Sequence, residues 1–132
     1  MLKDEGYRLM GAAFEVYNEL GYGMAEEVYQ QSLEIELELR AIPFKSKAGL
    51  LMFYKSRQLE KMYEPDLFVF GEIAVELKAV AQLDPDHEAQ LFNYWRIARR
   101  NVGYLLNFGR SGELEWKRFV VSDLHQRKKQ EH

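Results

Sequence analysis

Three charged residues interrupt two otherwise apolar segments. Asp66 lies in Pro65-Asp66-Leu67-Phe68-Val69-Phe70, and Glu76 and Lys78 lie in Ile73-Ala74-Val75-Glu76-Leu77-Lys78-Ala79-Val80. Burying an unpaired charge is costly, so these groups need partners. Strand alternation puts Glu76 and Lys78 on one face and Leu77 on the other. Two carboxylates and an ammonium on one face suit a hard divalent cation, which takes a few carboxylates together with water and a substrate phosphate. Such a cation lowers the pKa of bound water and polarises a phosphoryl oxygen, while the ammonium offsets developing negative charge. The same spacing also fits a structural ion pair between Glu76 and Lys78, with Asp66 capping a turn.

The register of the two strands decides whether Asp66 joins the pair. Gly71 marks a hairpin between them. A two-residue Gly71-Glu72 loop would set Asp66 opposite Leu77, on the wrong face. A three-residue loop or a bulge would set it beside Glu76 or Lys78, and one of these is expected.

The surrounding elements must position these groups. Met10, Ala13, Phe14, Tyr17 and Leu20 form a helical apolar stripe that Gly21-Tyr22-Gly23 breaks. A second helix is expected from Ala25 to Arg40, with Val28, Ser32, Ile35 and Leu39 on one face and Tyr29, Leu33 and Leu37 beside it. Pro43 forces an extended segment after it. Gly49 to Tyr54 reads as a strand, Lys55-Ser56-Arg57 as a turn, and Gln58 to Phe70 as further extended chain. Asp84-Pro85 predicts a capped helix start, followed by a buried stripe of Leu91, Tyr94, Trp95 and Ala98. Val102 to Phe108 and Trp116 to Val121 are the closing strands, joined at Arg110-Ser111-Gly112. The order α-α-β-β-β-α-β-β indicates an α/β or α+β fold with helices against one sheet.

Composition narrows the chemistry. The 132 residues fit one domain, 1–132, with a basic tail at 125–132 expected to fray. Cysteine is absent, which excludes disulfides, thiolate metal sites and thiol nucleophiles. His87, His125 and His132 include no close pair, so a histidine zinc site is not expected. The net charge of −3 rules out a generally polybasic coat. No apolar run approaches the roughly 18 residues of a membrane span, and the N-terminus lacks a signal-peptide pattern. A cytoplasmic domain without membrane contact is expected.

Pro65-Asp66 followed by Glu76-Leu77-Lys78 resembles the signature of the PD-(D/E)xK nuclease superfamily. Gly23-Met24-Ala25-Glu26-Glu27-Val28-Tyr29 resembles the G-x-x-E-x-x-Y pattern of its GxxExxY branch. His87-Glu88-Ala89-Gln90-Leu91-Phe92-Asn93-Tyr94 is similar to that branch's helix after the lysine, and Gln90-x-x-x-Tyr94 resembles a motif of RecB-like exonucleases. The resemblance covers Arg8 to Val121. Where many relatives carry glycine or arginine ahead of the aspartate, this chain has Met62-Tyr63-Glu64-Pro65.

The resemblance implies a restriction-endonuclease-like α-β-β-β-α-β core, a central mixed sheet flanked by helices, with an extra N-terminal helix and C-terminal strand. It implies a nuclease dependent on Mg²⁺ or Mn²⁺. Asp66, Glu76 and the backbone carbonyl of Leu77 would hold the metal, and Glu26 would complete the site directly or through water. Lys78 would position the attacking water, and Gln90 and Tyr94 would steady Lys78 or the substrate. The expected partner is DNA or RNA, with a homodimer or protein partner as a further expectation. Lys45, Lys47, Lys55, Arg57 and Lys61 are the candidates for phosphate contacts. Arg96, Arg99 and Arg100 read instead as a solvated face, and His87 as a surface or capping residue. The alternative is a non-catalytic nucleic-acid-binding or protein-interaction module on the same fold.

Overall fold

The computed structural model describes residues 1–121; the expected basic tail at 125–132 lies outside them. Helix α1 spans Lys3–Leu20 and stops at Gly21, whose φ of 69° places it in the left-handed region. Helix α2 spans Glu26–Leu39, within a residue of the expected bounds at each end. Strand β1, Phe44–Ser46, follows Pro43. A small hairpin comes next, β2 at Phe53–Tyr54 and β3 at Arg57–Gln58. Strands β4 (Leu67–Val69) and β5 (Ile73–Lys78) form the hairpin carrying the signature. Helix α3, Pro85–Ile97, opens as the sequence predicts: the Asp84 side chain caps it by accepting from the Asp86 N–H at 2.9 Å. Strands β6 (Val102–Asn107) and β7 (Glu115–Val120) complete the described chain.

Five strands form one mixed sheet in the order β1-β4-β5-β6-β7. β5 and β6 run parallel, joined by the α3 crossover, and the other neighbours are antiparallel. Helices α1 and α2 cover one face, where Leu9, Ala13, Tyr29 and Leu33 pack with Val75 and Leu77. On the other face Leu91 and Trp95 of α3 pack with Ala74, Leu105, Met52 and Tyr63. Glycine is required at Gly103, since a Cβ there would lie 2.5 Å from the Trp95 indole. No helix among the described residues is long and apolar enough to cross a membrane.

Three local expectations are corrected. The buried face of α2 is Tyr29, Leu33 and Leu37, while Val28, Ile35 and Leu39 are exposed. Tyr29 sets that rotation: its ring stacks on Phe108 at 4.7 Å and its hydroxyl donates to the Gly21 carbonyl at 2.6 Å. Phe14 does not join the buried stripe of α1, and instead meets Trp116 edge-on at 6.5 Å. The strand expected over Gly49 to Tyr54 shrinks to Phe53–Tyr54. Lys47, at φ 51°, turns the chain out of the main sheet, and Leu50 makes only an isolated bridge to Tyr63.

Candidate active site

The site begins with the β4–β5 connection. Val69 pairs with Ile73, leaving Phe70-Gly71-Glu72 as a three-residue loop. Phe70 and Gly71 both have positive φ, 57° and 69°, and the Glu72 N–H closes the turn on the Val69 carbonyl at 3.1 Å. The register Leu67↔Val75 then carries Asp66 to the position facing Glu76. This is one of the two arrangements the sequence required for convergence.

Asp66 is held from three directions. Its Oδ2 accepts the Leu77 N–H at 2.8 Å. Its backbone carbonyl accepts the Gln30 side-chain amide at 2.9 Å and the Lys47 N–H at 3.2 Å. Gln30 is a buried polar residue on α2, and this bond, with one to Glu34 at 2.9 Å, satisfies its amide.

Glu76 is only 8% exposed, and its Oε1 accepts the Tyr63 hydroxyl. The Tyr63 oxygen in turn accepts the Trp95 indole N–H at 3.1 Å, and the ring stacks on Tyr94 at 5.4 Å. Burial, then the neighbouring Asp66 charge, pushes the Glu76 carboxyl up to about 8; the Tyr63 bond and Lys78 pull the other way. Burial and the Glu76 charge likewise push the Tyr63 phenol up.

Glu26 opens α2 at its exposed end. Its carboxyl is raised by partial burial and by Asp66, and lowered by Lys78 and Lys47, so it shares a field with the strand groups. Lys78 is half-buried, and its Nζ lies 3.4 Å from Nε2 of His87 in the first turn of α3. Among the described residues Lys78 forms no ion pair within 4.0 Å. The structural Glu76–Lys78 pair that the spacing also permitted is therefore not formed.

Gln90 is exposed and, among the described residues, its side chain makes no hydrogen bond; it is not tied to Lys78. Tyr94 reaches the site only through its stack on Tyr63. Of the expected cationic set, Lys47 pairs with Glu27 at 3.6 Å, whereas Lys45, Lys55, Arg57 and Lys61 are exposed without ion pairs among the described residues. Sequence reasoning missed Tyr63, Gln30, Trp95 as a donor, and His87. Gln30 alone left a signal, as an amide beside the buried Tyr29-Leu33-Leu37 stripe.

The donor set can be tested for fit to a divalent cation. No three His, Asp or Glu side chains among the described residues gather into a preformed cage. Asp66 and Glu76 nevertheless face each other, and burial together with the Asp66 charge raises Glu76. That matches a Mg²⁺-type ion, which binds through one or two carboxylates and keeps several waters, better than a calcium cage.

A mixed sheet with a parallel crossover, and an aspartate facing a glutamate two residues before a lysine, define a nuclease-like class. The chain belongs to the PD-(D/E)XK nuclease superfamily, whose family model matches residues 3–119. The fold is similar to that in a solved structure described as the crystal structure of SSO0001, with a TM-score of 0.55 and 14% sequence identity. That similarity covers 77% of this chain and 52% of the other, so the chain spans about half the length of that structure. A comparison with the curated proteins gives no match.

Proposed function

We propose that this chain is a Mg²⁺- or Mn²⁺-dependent phosphodiester hydrolase acting on DNA or RNA. One observation carries the reading. Asp66 faces Glu76, while Lys78, on the same strand face as Glu76, is ion-paired to neither.

Asp66, Glu76 and the Leu77 carbonyl would hold the cation, with Glu26 reaching it through water. When bound, the cation supplies a more acidic water and charge stabilisation at phosphorus. Lys78 orients the attacking water and offsets negative charge on the phosphoryl oxygens. Asp66 is fixed for its part by the Leu77 N–H, and Glu76 by Tyr63.

We assign the chain to the GxxExxY branch on its helical motif. The Tyr29 hydroxyl donates to Gly21 and accepts the Met24 N–H at 3.3 Å, which fixes the loop ahead of Glu26. Tyr29 of the motif, with Gly23 at φ 101°, thus shapes the loop that leads into Glu26.

The test is cleavage of labelled DNA and RNA with Mn²⁺. Asp66→Ala and Lys78→Ala should each abolish cleavage while remaining folded. Undiminished cleavage by both would refute the hydrolase. Tight nucleic-acid binding without metal affinity would favour a non-catalytic module.

A further inference from the structure

Charge in this protein is segregated by layer. Residues 1–40, which supply α1 and α2, carry three basic and nine acidic side chains. Residues 41–61 carry five basic and one acidic, and residues 92–101 carry three basic and none acidic. The two basic segments are far apart in sequence, but the fold brings them together on the α3 side of the sheet.

The contact can be followed residue by residue. Asp66 and Phe68 share a strand face, about 7 Å apart by strand rise. Lys45 stands opposite Phe68 in the β1–β4 register, and the Arg100 guanidinium sits over the Phe68 ring at 5.6 Å. Arg99 sits over the Phe53 ring at 4.1 Å and donates to the Lys55 carbonyl at 3.1 Å. Arg57 faces the exposed Tyr54 across the β2–β3 hairpin. Lys45, Arg100, Arg99, Lys55 and Arg57 thus form a continuous path that starts beside the candidate site.

Their electrostatic state differs from that of four other cations. Lys47, Arg40, Arg110 and Lys117 each pair with a glutamate. None of the five in the path forms an ion pair with any described acid. Three are held by aromatic faces, Arg99 and Arg100 as above and Lys55 over Tyr54 at 5.5 Å, which orient a cation without neutralising it. An uncompensated row of cations on a chain of net charge −3 calls for an external polyanion.

We propose that the β2–β3 hairpin and the C-terminal end of α3 form the track for a nucleic-acid phosphate backbone whose scissile phosphate lies at Asp66 and Glu76. This rests on the hydrolase reading for the location of the reacting phosphate. The recognised chemistry is the phosphodiester backbone, and the acidic α1–α2 face is turned away from it. Arg99 and Arg100, which the sequence assigned to a solvated face, belong to the track.

The experiment measures binding of the full chain to a fluorescein-labelled mixed-sequence DNA duplex, and to RNA of the same sequence, in EDTA at several salt concentrations. Lys55→Gln/Arg57→Gln removes two exposed cations outside the candidate site. Binding at low salt should fall about tenfold or more, and the slope of log K against log salt should become shallower by nearly one for each lost phosphate contact. Lys55→Arg/Arg57→Lys should restore both. Lys3→Gln/Arg8→Gln changes net charge equally on α1 and should leave binding unchanged.

The DNA and RNA arms show which backbone the track prefers. Parent-like affinity and slope in the hairpin variant would overturn the proposal, as would an equal loss in the α1 variant or a parent that binds neither nucleic acid. The hydrolase reading fails separately: a parent that binds along the track but does not cleave with Mn²⁺ refutes catalysis and leaves the track standing.

Discussion

The indole N–H of Trp95 donates to the Tyr63 hydroxyl at 3.1 Å. An indole nitrogen can only donate, so it occupies a lone pair of that oxygen and leaves the phenolic proton for Oε1 of Glu76. The direction of the chain is thus set from the core outward. That bond holds the Glu76 carboxyl on the strand face it shares with Asp66, and the Tyr94 ring stacked on Tyr63 keeps the relay in place.

Tyr63→Phe preserves that ring and its stack but removes the hydroxyl, stranding the Trp95 N–H and releasing Glu76. Loss of about 1–3 kcal/mol of stability is expected in denaturant unfolding. Mn²⁺ affinity, measured by calorimetric titration, should weaken several-fold because Glu76 is no longer oriented. Unchanged Mn²⁺ affinity would remove Tyr63 from the positioning of the site.

Glu76 makes the cation-free protein pH-sensitive. Its carboxyl is raised from 4.5 to about 8 in the fold, so between those values the native state keeps a proton that the unfolded chain has released. The unfolded state binds fewer protons there, and stability must fall as pH rises through the window, by at most about 1.4 kcal/mol per unit, then level off above it. Glu76→Gln should flatten this slope in thermal or denaturant unfolding. Divalent binding has the opposite trend, since the ion displaces the proton: apparent affinity should rise toward about pH 8.

Nε2 of His87 lies 3.4 Å from Nζ of Lys78 and, in the tautomer that carries its proton on Nδ1, accepts from the ammonium that would meet the attacking water and so restrains it. Its side chain is exposed, and stability should be nearly indifferent to its removal. His87→Ala should lower kcat several-fold with little change in KM. His87→Gln, which can offer an acceptor at a similar reach, should recover much of the loss. Equal kcat in all three forms would show that the contact does not position Lys78.

Much of this arrangement was legible in local chemistry. Gly71 and the face requirement on Asp66 restricted the hairpin to two outcomes, and a three-residue loop is one of them. Asp84-Pro85 announced the start of α3 because capping depends on adjacent residues. The rotation of α2 was not legible, because its sequence carries two apolar stripes and only the seat of Tyr29 against Phe108 selects one. Tyr63 was hidden for a similar reason: its partners, Glu76 and Trp95, meet it only after β5 and α3 have packed on opposite sides of it. Arg99 and Arg100, just past α3, read as solvated because helical angle alone cannot show that Phe53 and Phe68 come to lie beneath them.

The most direct test of the central claim is anomalous scattering from a crystal soaked with Mn²⁺. A peak between Asp66 and Glu76, within ligand distance of both carboxylates and of the Leu77 carbonyl, is the predicted result. Manganese bound only elsewhere, or none at concentrations that saturate a functional site, would contradict it.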